Sequence, residues 1–258
     1  MKKIKAEIIN QKHLIEDIYS MYLKCPELVA DAHSGQFVNI YTNDSSRLLP
    51  RPISICELDK EEGILRIVYR TAGEGTRQFS ELSEGDTLEI TGPVGNGYDT
   101  DSKKAILMGG GIGIPPMLCL AKELAAKGLQ KEDISVILGY RNDTFLLDEF
   151  EEISTVYISS DSGNVGLKGN VLDALKHYNV TGDMIYACGP KPMLRAVQQY
   201  SKESGISAQI SLEERMACGI GACLACVTKT TEVDEHSQVK NKRICVDGPV
   251  FYAEEVEL

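Results

Sequence analysis

Lys104-Ala-Ile-Leu-Met-Gly-Gly-Gly-Ile-Gly-Ile-Pro-Pro-Met117 reads as a short apolar strand, Lys104–Met108, that ends in the glycine run Gly109–Gly113. A helix follows it, from about Pro115 to Lys127. Proline suits a first helical turn, where no amide partner is needed, and Gly128 suits the C-terminal cap. The alternation continues downstream. Ile134–Tyr140, Val156–Ser159 and Asp183–Ala187 read as strands, and Val171–His177 and Lys191–Ser204 as helices. Strands alternating with helices imply a parallel sheet in a doubly wound α/β domain, placed at residues 103–210.

Two loops of that domain carry chemistry. Gly109, Gly110, Gly111 and Gly113 follow a strand and precede a helix, so the backbone could approach a pyrophosphate closely. The run departs from G-x-G-x-x-G, because Ile114 and Pro115-Pro116 replace its later part, and a merely tight strand-to-helix turn is the alternative. The second strand ends in Tyr140-Arg141 in place of the usual acidic residue, which leaves NAD and NADP both open. The second loop, Cys188-Gly-Pro-Lys-Pro-Met193, lies at the carboxyl end of the fourth strand, where open α/β sheets bind ligands. Gly189 permits close approach, while Pro190 and Pro192 stiffen the loop. An ordinary turn with a buried cysteine is the alternative.

Upstream, residues 1–99 read differently. Lys5–Asn10, Tyr19–Lys24, Gln36–Tyr41, Ile53–Leu58, Leu65–Arg70 and Thr87–Thr91 are short, partly apolar runs separated by turn clusters, with one short helix from Thr76 to about Leu82. Such spacing predicts a small antiparallel barrel. Within it Arg51-Pro-Ile-Ser54 begins a strand: a forked, permanently charged guanidinium suits phosphate, and a serine hydroxyl both donates and accepts, as a flavin ring edge requires. Gly75-Thr76 opens the short helix as another possible anion site. A surface ion pair for Arg51 and a plain N-cap for Thr76 are the alternatives.

Downstream, Met216-Ala-Cys-Gly-Ile-Gly-Ala-Cys-Leu-Ala-Cys-Val227 and the distant Cys245 give the spacing C-x4-C-x2-C, then x18, then C. Cys218, Cys223, Cys226 and Cys245 thus match the thiolate pattern of a plant-type [2Fe–2S] centre. A loop crowded with Ala217, Gly219, Gly221, Ala222 and Ala225 can wrap a small inorganic core, and its amides can point at the sulfurs. Structural zinc and unliganded thiols are the alternatives, although zinc ribbons usually show two C-x2-C pairs. Residues 211–258 are too few to bury a large core, so a bound cluster would serve as a staple.

Composition narrows the classes. The 258 residues carry a net charge of −11, which argues against a nucleic-acid partner. No apolar run approaches the roughly 18–20 residues of a membrane helix. The start, Met1-Lys-Lys-Ile-Lys-Ala-Glu-Ile-Ile-Asn10, lacks the long apolar stretch of a signal peptide, so a cytoplasmic location is expected. Eight cysteines in such a chain point to metal or redox use more than to disulfides. Cys25, Cys56 and Cys119 read as core fillers. His13, His33, His177 and His236 share no ligand spacing and read as surface or capping residues. Thr230–Arg243 reads as a solvated hairpin, and Glu254–Glu257 as a solvated tail.

Taken in order, Arg-Pro-Ile-Ser (51–54), Gly-Glu-Gly-Thr (73–76), Gly-Gly-Gly-Ile-Gly (109–113) and Cys-Gly-Pro-Lys-Pro-Met (188–193) resemble the ferredoxin-reductase superfamily, a flavin barrel followed by a nicotinamide domain. With the cysteine loop, nearly the whole chain is similar to the electron-transfer subunits of two-subunit, NAD-dependent dihydroorotate dehydrogenases. The resemblance implies that Arg51, Pro52, Ile53 and Ser54, the backbone of Val68, Tyr69 and Arg70, and Gly75 with Thr76 hold FAD. It implies that the four cysteines hold [2Fe–2S], and that Gly109–Gly113 with Gly189, Pro190 and Met193 face NAD. Asp161 would face the adenosine end, and Cys188 would position the nicotinamide. The implied partner is an FMN-containing catalytic subunit, in a heterotetramer of two of each. Its electrons would cross the cluster singly, collect on FAD and leave as NADH, in pyrimidine biosynthesis. The small subunits of bifurcating ferredoxin:NADP reductases are similar in layout, but an aspartate replaces one of their cluster cysteines. A self-contained flavin reductase and a zinc-stapled nucleotide-binding regulator are the remaining alternatives.

Overall fold

The computed structural model describes residues 3–44, 46–233 and 238–258. His236, one of the four histidines considered above, lies outside the described residues, as does the middle of the expected 230–243 hairpin.

The first module is a closed barrel of six strands: β1 (Lys3–Ile15), β2 (Ile18–Lys24), β3 (Phe37–Tyr41), β4 (Arg51–Asp59), β5 (Ile64–Arg70) and β6 (Thr87–Val94). Their order around the barrel is β1-β2-β5-β4-β3-β6, and every pairing is antiparallel. Side chains alternate across each strand, so Ala6, Ile8, Met21, Leu23, Val38, Ile40, Ile67 and Leu88 fill one interior cluster. Two short helices lie in the connections, α1 (Pro26–Val29) and α2 (Glu74–Ser80). The second begins two residues earlier than expected, because Gly73 is its N-cap and the Thr76 hydroxyl bonds back to Gly73. β1 runs on to Ile15 because Ile15 pairs with Ile18 across a tight turn.

The second module carries β7 (Ala105–Gly110), α3 (Ile114–Ala126), β8 (Ile134–Tyr140), α4 (Leu147–Ile153), β9 (Thr155–Ser160), β10 (Leu167–Lys168), α5 (Val171–His177), β11 (Met184–Cys188), α6 (Lys191–Ser204) and β12 (Ser207–Ser211). The sheet order β10-β9-β8-β7-β11-β12 is parallel throughout. Three of these elements escape a pattern reading: the two-residue β10, α4 and β12. α4 is a short acidic helix of about two turns whose one fully buried residue is Phe150. β12 holds the buried Gln209, whose amide accepts from the Asp99 backbone N–H at 2.9 Å and donates to the Asp99 carbonyl at 2.8 Å. A buried polar residue satisfied by a chain segment 110 positions away leaves no local strand signature.

The C-terminal segment adds a hairpin, β13 (Val227–Lys229) and β14 (Asn241–Arg243), and a last strand, β15 (Val250–Tyr252). β15 pairs antiparallel with β12 and extends the parallel sheet by one edge. Cys226, Ile244, Cys245 and Phe251 share an apolar cluster with Ile185, Leu194 and Ile210 of the second module and Phe37 and Val94 of the barrel. This segment therefore has no separate core of its own.

The barrel and the second module meet where α3 and α4 approach β4 and β5. Cys119 of α3 reaches the barrel interior, and Cys56 of β4 joins the second module's core. Cys25, Cys56 and Cys119 are all buried, as core fillers should be. Arg66 on β5 is the polar centre of the junction. It donates to both Glu149 carboxylate oxygens, at 2.5 and 2.9 Å, to Glu57 at 3.1 Å and to the Ser20 hydroxyl at 2.9 Å. Lys122 of α3 closes the network on Glu57. The Arg66 side chain is 5% exposed, so its charge needs these partners. Arg66→Met is expected to lower stability by about 3 kcal/mol, because Glu149 loses its main counter-charge and Glu57 one of its two. Glu149→Gln, at a carboxylate one-third exposed, is expected to cost about 1 kcal/mol. Urea unfolding midpoints check both, and equal losses would count against Arg66 as the centre.

Candidate functional site

Three sets of residues converge on the face where barrel, sheet and C-terminal segment meet. The first lies in the barrel. The β4–β5 ladder runs from Ile55↔Ile67 to Asp59↔Ile64, whereas Arg51–Ser54 pair with β3, from Ile40↔Arg51 to Phe37↔Ser54. Arg51–Ser54 and Val68–Arg70 thus face each other across a gap in the ladder. Backbone donors and acceptors there are available to a ligand edge. Val68 and Tyr69 turn their side chains into the cores. The Tyr69 hydroxyl donates to Gln11 at 3.0 Å, and burial pushes its phenol upward. Arg70 is paired with Asp17 at 3.1 Å. What Val68–Arg70 can offer a ligand is therefore backbone.

Arg51 lies directly over Gly75. A Cβ at position 75 would stand 2.1 Å from Arg51 Nε and 2.5 Å from Cζ, so only glycine admits the guanidinium there. Arg51 also donates to the Leu49 carbonyl. Thr76 spends its hydroxyl on Gly73, donating to the carbonyl at 2.9 Å and accepting from the amide at 3.2 Å. The alternative of a local capping role for Thr76 is thus realised in its side chain. The Arg51–Gly75 cradle, beside the laddered gap, has the cationic fork and the donor–acceptor edge that a flavin dinucleotide requires.

The second set lies at the carboxyl ends of β7 and β11. These neighbours pair from Met184↔Ala105 to Cys188↔Gly109, while the chain leaves β7 for β8 on the opposite side. That is the topological switch point, where open sheets form a crevice. The two glycine-bearing loops touch there. A Cβ at Gly113 would be 2.3 Å from the Cys188 carbonyl oxygen, one at Gly110 2.6 Å from Met193 Sδ, and one at Gly189 2.9 Å from the same sulfur. Gly109 and Gly110 belong to β7 itself, and Gly111 bends the chain at φ +55° with open space beside it. Pro115 and Pro116 occupy the first turn of α3, so that turn lacks two amide donors. The crevice therefore rests on close backbone approach more than on helix amides. Asp161 follows the end of β9 and is exposed. Cys188 keeps partial exposure as a residue, yet it packs with the Tyr98 and Tyr186 cluster, and burial pushes its thiol up to about 12. It is a neutral thiol at neutral pH.

The third set is the cysteine loop. Its sulfurs stand as two pairs. The Cys223 amide donates to Cys218 Sγ at 3.4 Å and the Cys218 amide to Cys223 Sγ at 3.5 Å, while Cys226 Sγ lies 3.3 Å from Cys245 Sγ. Among the described residues no three His, Cys, Asp or Glu side chains converge on one ion position. Two pairs are the arrangement that two irons, each taking two thiolates, would use. The pairs differ in environment. Cys226 and Cys245 are buried, whereas Cys223 is exposed and Cys218 partly so. The Ile220 amide, donating to Cys218 Sγ at 3.5 Å, is the main influence holding that thiol down at about 6, while burial pushes Cys245 up to about 12.

Asn39, on the outer face of β3, belongs to none of the sequence motifs. It is fully buried, neither its Nδ2 nor its Oδ1 has a partner, and it touches the cysteine loop at Gly219. Its one local signal is a lone amide inside the apolar run Phe37–Tyr41. Unpaired groups of this kind cost roughly 1–3 kcal/mol each.

Two outcomes follow from this geometry. Gly219 has φ +66°, and a Cβ there would stand 2.2 Å from Asn39 Nδ2. Gly219→Ala is expected to cost at least about 1–2 kcal/mol from the left-handed backbone alone. Iron and sulfide per chain should fall while flavin content holds; a full complement of iron would contradict the contact. With its thiol near 12, Cys188 is about one part in ten thousand thiolate at pH 8, so iodoacetamide should label it at least about a hundredfold more slowly than an exposed thiol. Peptide mass mapping reads this, and rapid labelling would refute the burial argument.

Family models match the three modules in turn: an oxidoreductase FAD-binding domain over residues 5–98, an oxidoreductase NAD-binding domain over 107–199, and the iron–sulfur cluster binding domain of dihydroorotate dehydrogenase B over 213–257. The chain is 44% identical, over the full length of both proteins, to the dihydroorotate dehydrogenase B (NAD(+)) electron transfer subunit of Listeria monocytogenes serovar 1/2a. It is 40% identical to that of Caldanaerobacter subterraneus subsp. tengcongensis, over 98% of each. Among solved structures it superposes on the NADH-dependent reduced ferredoxin-NADP oxidoreductase with TM-score 0.86 and 31% identity, over 98% of this chain and 89% of that one. Phthalate dioxygenase reductase shares the fold, at TM-score 0.66 and 20% identity over 95% and 94%. A chain with these three domains, matched from end to end by such relatives, belongs to the family of electron-transfer subunits of dihydroorotate dehydrogenase B (NAD(+)).

Proposed function

We propose that this chain carries electrons from the FMN of a dihydroorotate-oxidising catalytic subunit to NAD+, within pyrimidine biosynthesis. The observation that carries the reading is the convergence of the Arg51–Gly75 cradle, the Gly113–Cys188 crevice and the paired cysteines on one chain of this family. Bound FAD would exchange two electrons with a nicotinamide and one at a time with an iron–sulfur cluster, which is the conversion such an arrangement needs.

The protein's own residues would work as follows. Arg51, over Gly75, neutralises the flavin diphosphate, while Pro52, Ile53, Ser54 and the backbone of Val68–Arg70 and Thr76 seat the ring and its tail. Gly109–Gly113, Gly189, Pro190 and Met193 shape the crevice for the dinucleotide. Cys188, as a neutral thiol, bounds the nicotinamide position without moving a proton, and the Asp161 carboxylate disfavours a 2′-phosphate at the adenosine end. Cys218, Cys223, Cys226 and Cys245 hold the cluster, with Cys226 and Cys245 buried in the shared apolar cluster and the pair Cys218 and Cys223 more exposed. On this reading the modules are 1–99 for flavin, 103–210 for nicotinamide and 211–258 for the cluster.

The partner would dock over the outer cysteine pair. Ile220 and Leu224, each 60% exposed, flank Cys223 in the chain, and the exposed Val246 lies against Gly221 of the same loop. Exposed apolar residues gathered beside a redox centre suit a permanent subunit contact. A heterotetramer of two of each chain, in the cytoplasm, completes the proposal; eight unpaired cysteines accord with a reducing compartment. No helix among the described residues is long and apolar enough to cross a membrane.

Anaerobic purification with iron, sulfide and flavin assays tests the reading. NADH should bleach the flavin and drive artificial acceptors, and dihydroorotate should be oxidised only after the FMN-containing subunit is added. Colourless protein, a flavin indifferent to NADH, or dihydroorotate turnover by the chain alone would overturn it.

A further inference from the structure

Strand β3 faces two ways. Val38 and Ile40 point into the barrel, while Phe37 packs outward in the same apolar cluster as Cys226 and Cys245. Asn39 shares that outer direction by the alternation of the strand. Its register partners are Pro52 on β4, in the flavin segment, and Thr91 on β6. The residue is 0% exposed, and both ends of its amide lack a partner. What covers it is the cysteine loop: the three atoms nearest a Cβ at Gly219 are Asn39 Nδ2 at 2.2 Å, Cγ at 3.0 Å and Oδ1 at 3.3 Å. Gly219 directly follows Cys218, whose sulfur already accepts amides from Ile220 and Cys223.

Pro52 and Ser54, on the same outer face, keep partial exposure, as a surface open to a planar ligand does. Asn39 does not, because the cysteine loop at Gly219 covers its amide. A buried amide with no partner is costly, and a thiolate drawn onto iron is a stronger acceptor than a thiol.

We propose that Asn39 is a positioning residue of the electron path: its side-chain N–H donates to the Cys218 thiolate of the assembled cluster, joining the flavin-bearing sheet to the cluster loop and raising the cluster's reduction potential. The inference rests on the cluster reading above. Donors to cluster sulfurs offset the charge gained on reduction, so removing one makes reduction harder.

The test uses the complete complex with its catalytic subunit, in Asn39→Leu and Asn39→Asp forms. EPR-monitored titration follows the cluster, and visible absorbance follows FAD. At fixed potential the reduced-to-oxidised ratio of the cluster should fall about tenfold in Asn39→Leu, about 59 mV for one electron, and at least as far in Asn39→Asp, with the FAD midpoint unmoved. The aspartate matches the amide in size and decides alone if the leucine form does not hold its cluster. An unshifted cluster, or a shift confined to FAD, overturns the proposal. A wild-type complex without the EPR signal of a reduced cluster would instead overturn the functional reading itself, so the two failures are distinguishable.

Discussion

Phe37 of the barrel, Ile185 and Ile210 of the parallel sheet, and Cys226, Cys245 and Phe251 of the C-terminal segment occupy one apolar cluster, and the relative placement of the three modules depends on that shared burial. Each contributes only part of the enclosing surface. The C-terminal segment alone would leave its inner cysteine pair open to water; β15 instead hydrogen-bonds to the edge of β12, and Phe37 closes the other side. Apolar burial at roughly 25 cal/mol per Å2 thus does two things here: it stabilises the assembly and brings the cysteine loop against the strand next to the flavin segment.

The same closeness explains where small residues are required. Gly75 admits the Arg51 guanidinium, Gly113 admits the Cys188 carbonyl, and Gly219 admits the Asn39 amide. In each case a single Cβ would separate elements that have to touch. Charge is arranged along the same line. The cationic Arg51 stands at the flavin cradle, Cys218 is held toward its thiolate by a backbone amide, and Cys188, in the crevice between the other sites, is kept neutral by burial. Away from the site, the Arg66 network ties barrel to sheet with ionic contacts from β4, α3 and α4, so this junction, unlike the cluster side, is held by charge as well as by apolar packing.

Much of this is legible locally. The alternation of strands and helices from Lys104 onward, the six short strands before it and the cysteine spacing each arise from residues near one another in the chain. Elements whose reasons are remote are the ones that stay hidden: β12, stabilised by Gln209 reaching Asp99; α4, anchored by the single buried Phe150; and β15, whose partner strand lies about 40 residues upstream. Thr76 could be read either as a cap or as a ligand contact, and only its bonds to Gly73 assign its hydroxyl to the cap.

The sequence by itself determined the kinds of chemistry: four thiolates at iron–sulfur spacing, a strand–glycine–helix turn, and an arginine–proline strand start, because donor type and local spacing are written in consecutive residues. The tertiary structure decided which of these groups meet. It opened the ladder between Arg51–Ser54 and Val68–Arg70, set Gly113 on Cys188, divided the cysteines into a buried and an exposed pair, and buried Asn39 beneath Gly219. Those relations join residues up to 180 positions apart (Asn39 and Gly219), where only sheet register and shared apolar burial determine distance.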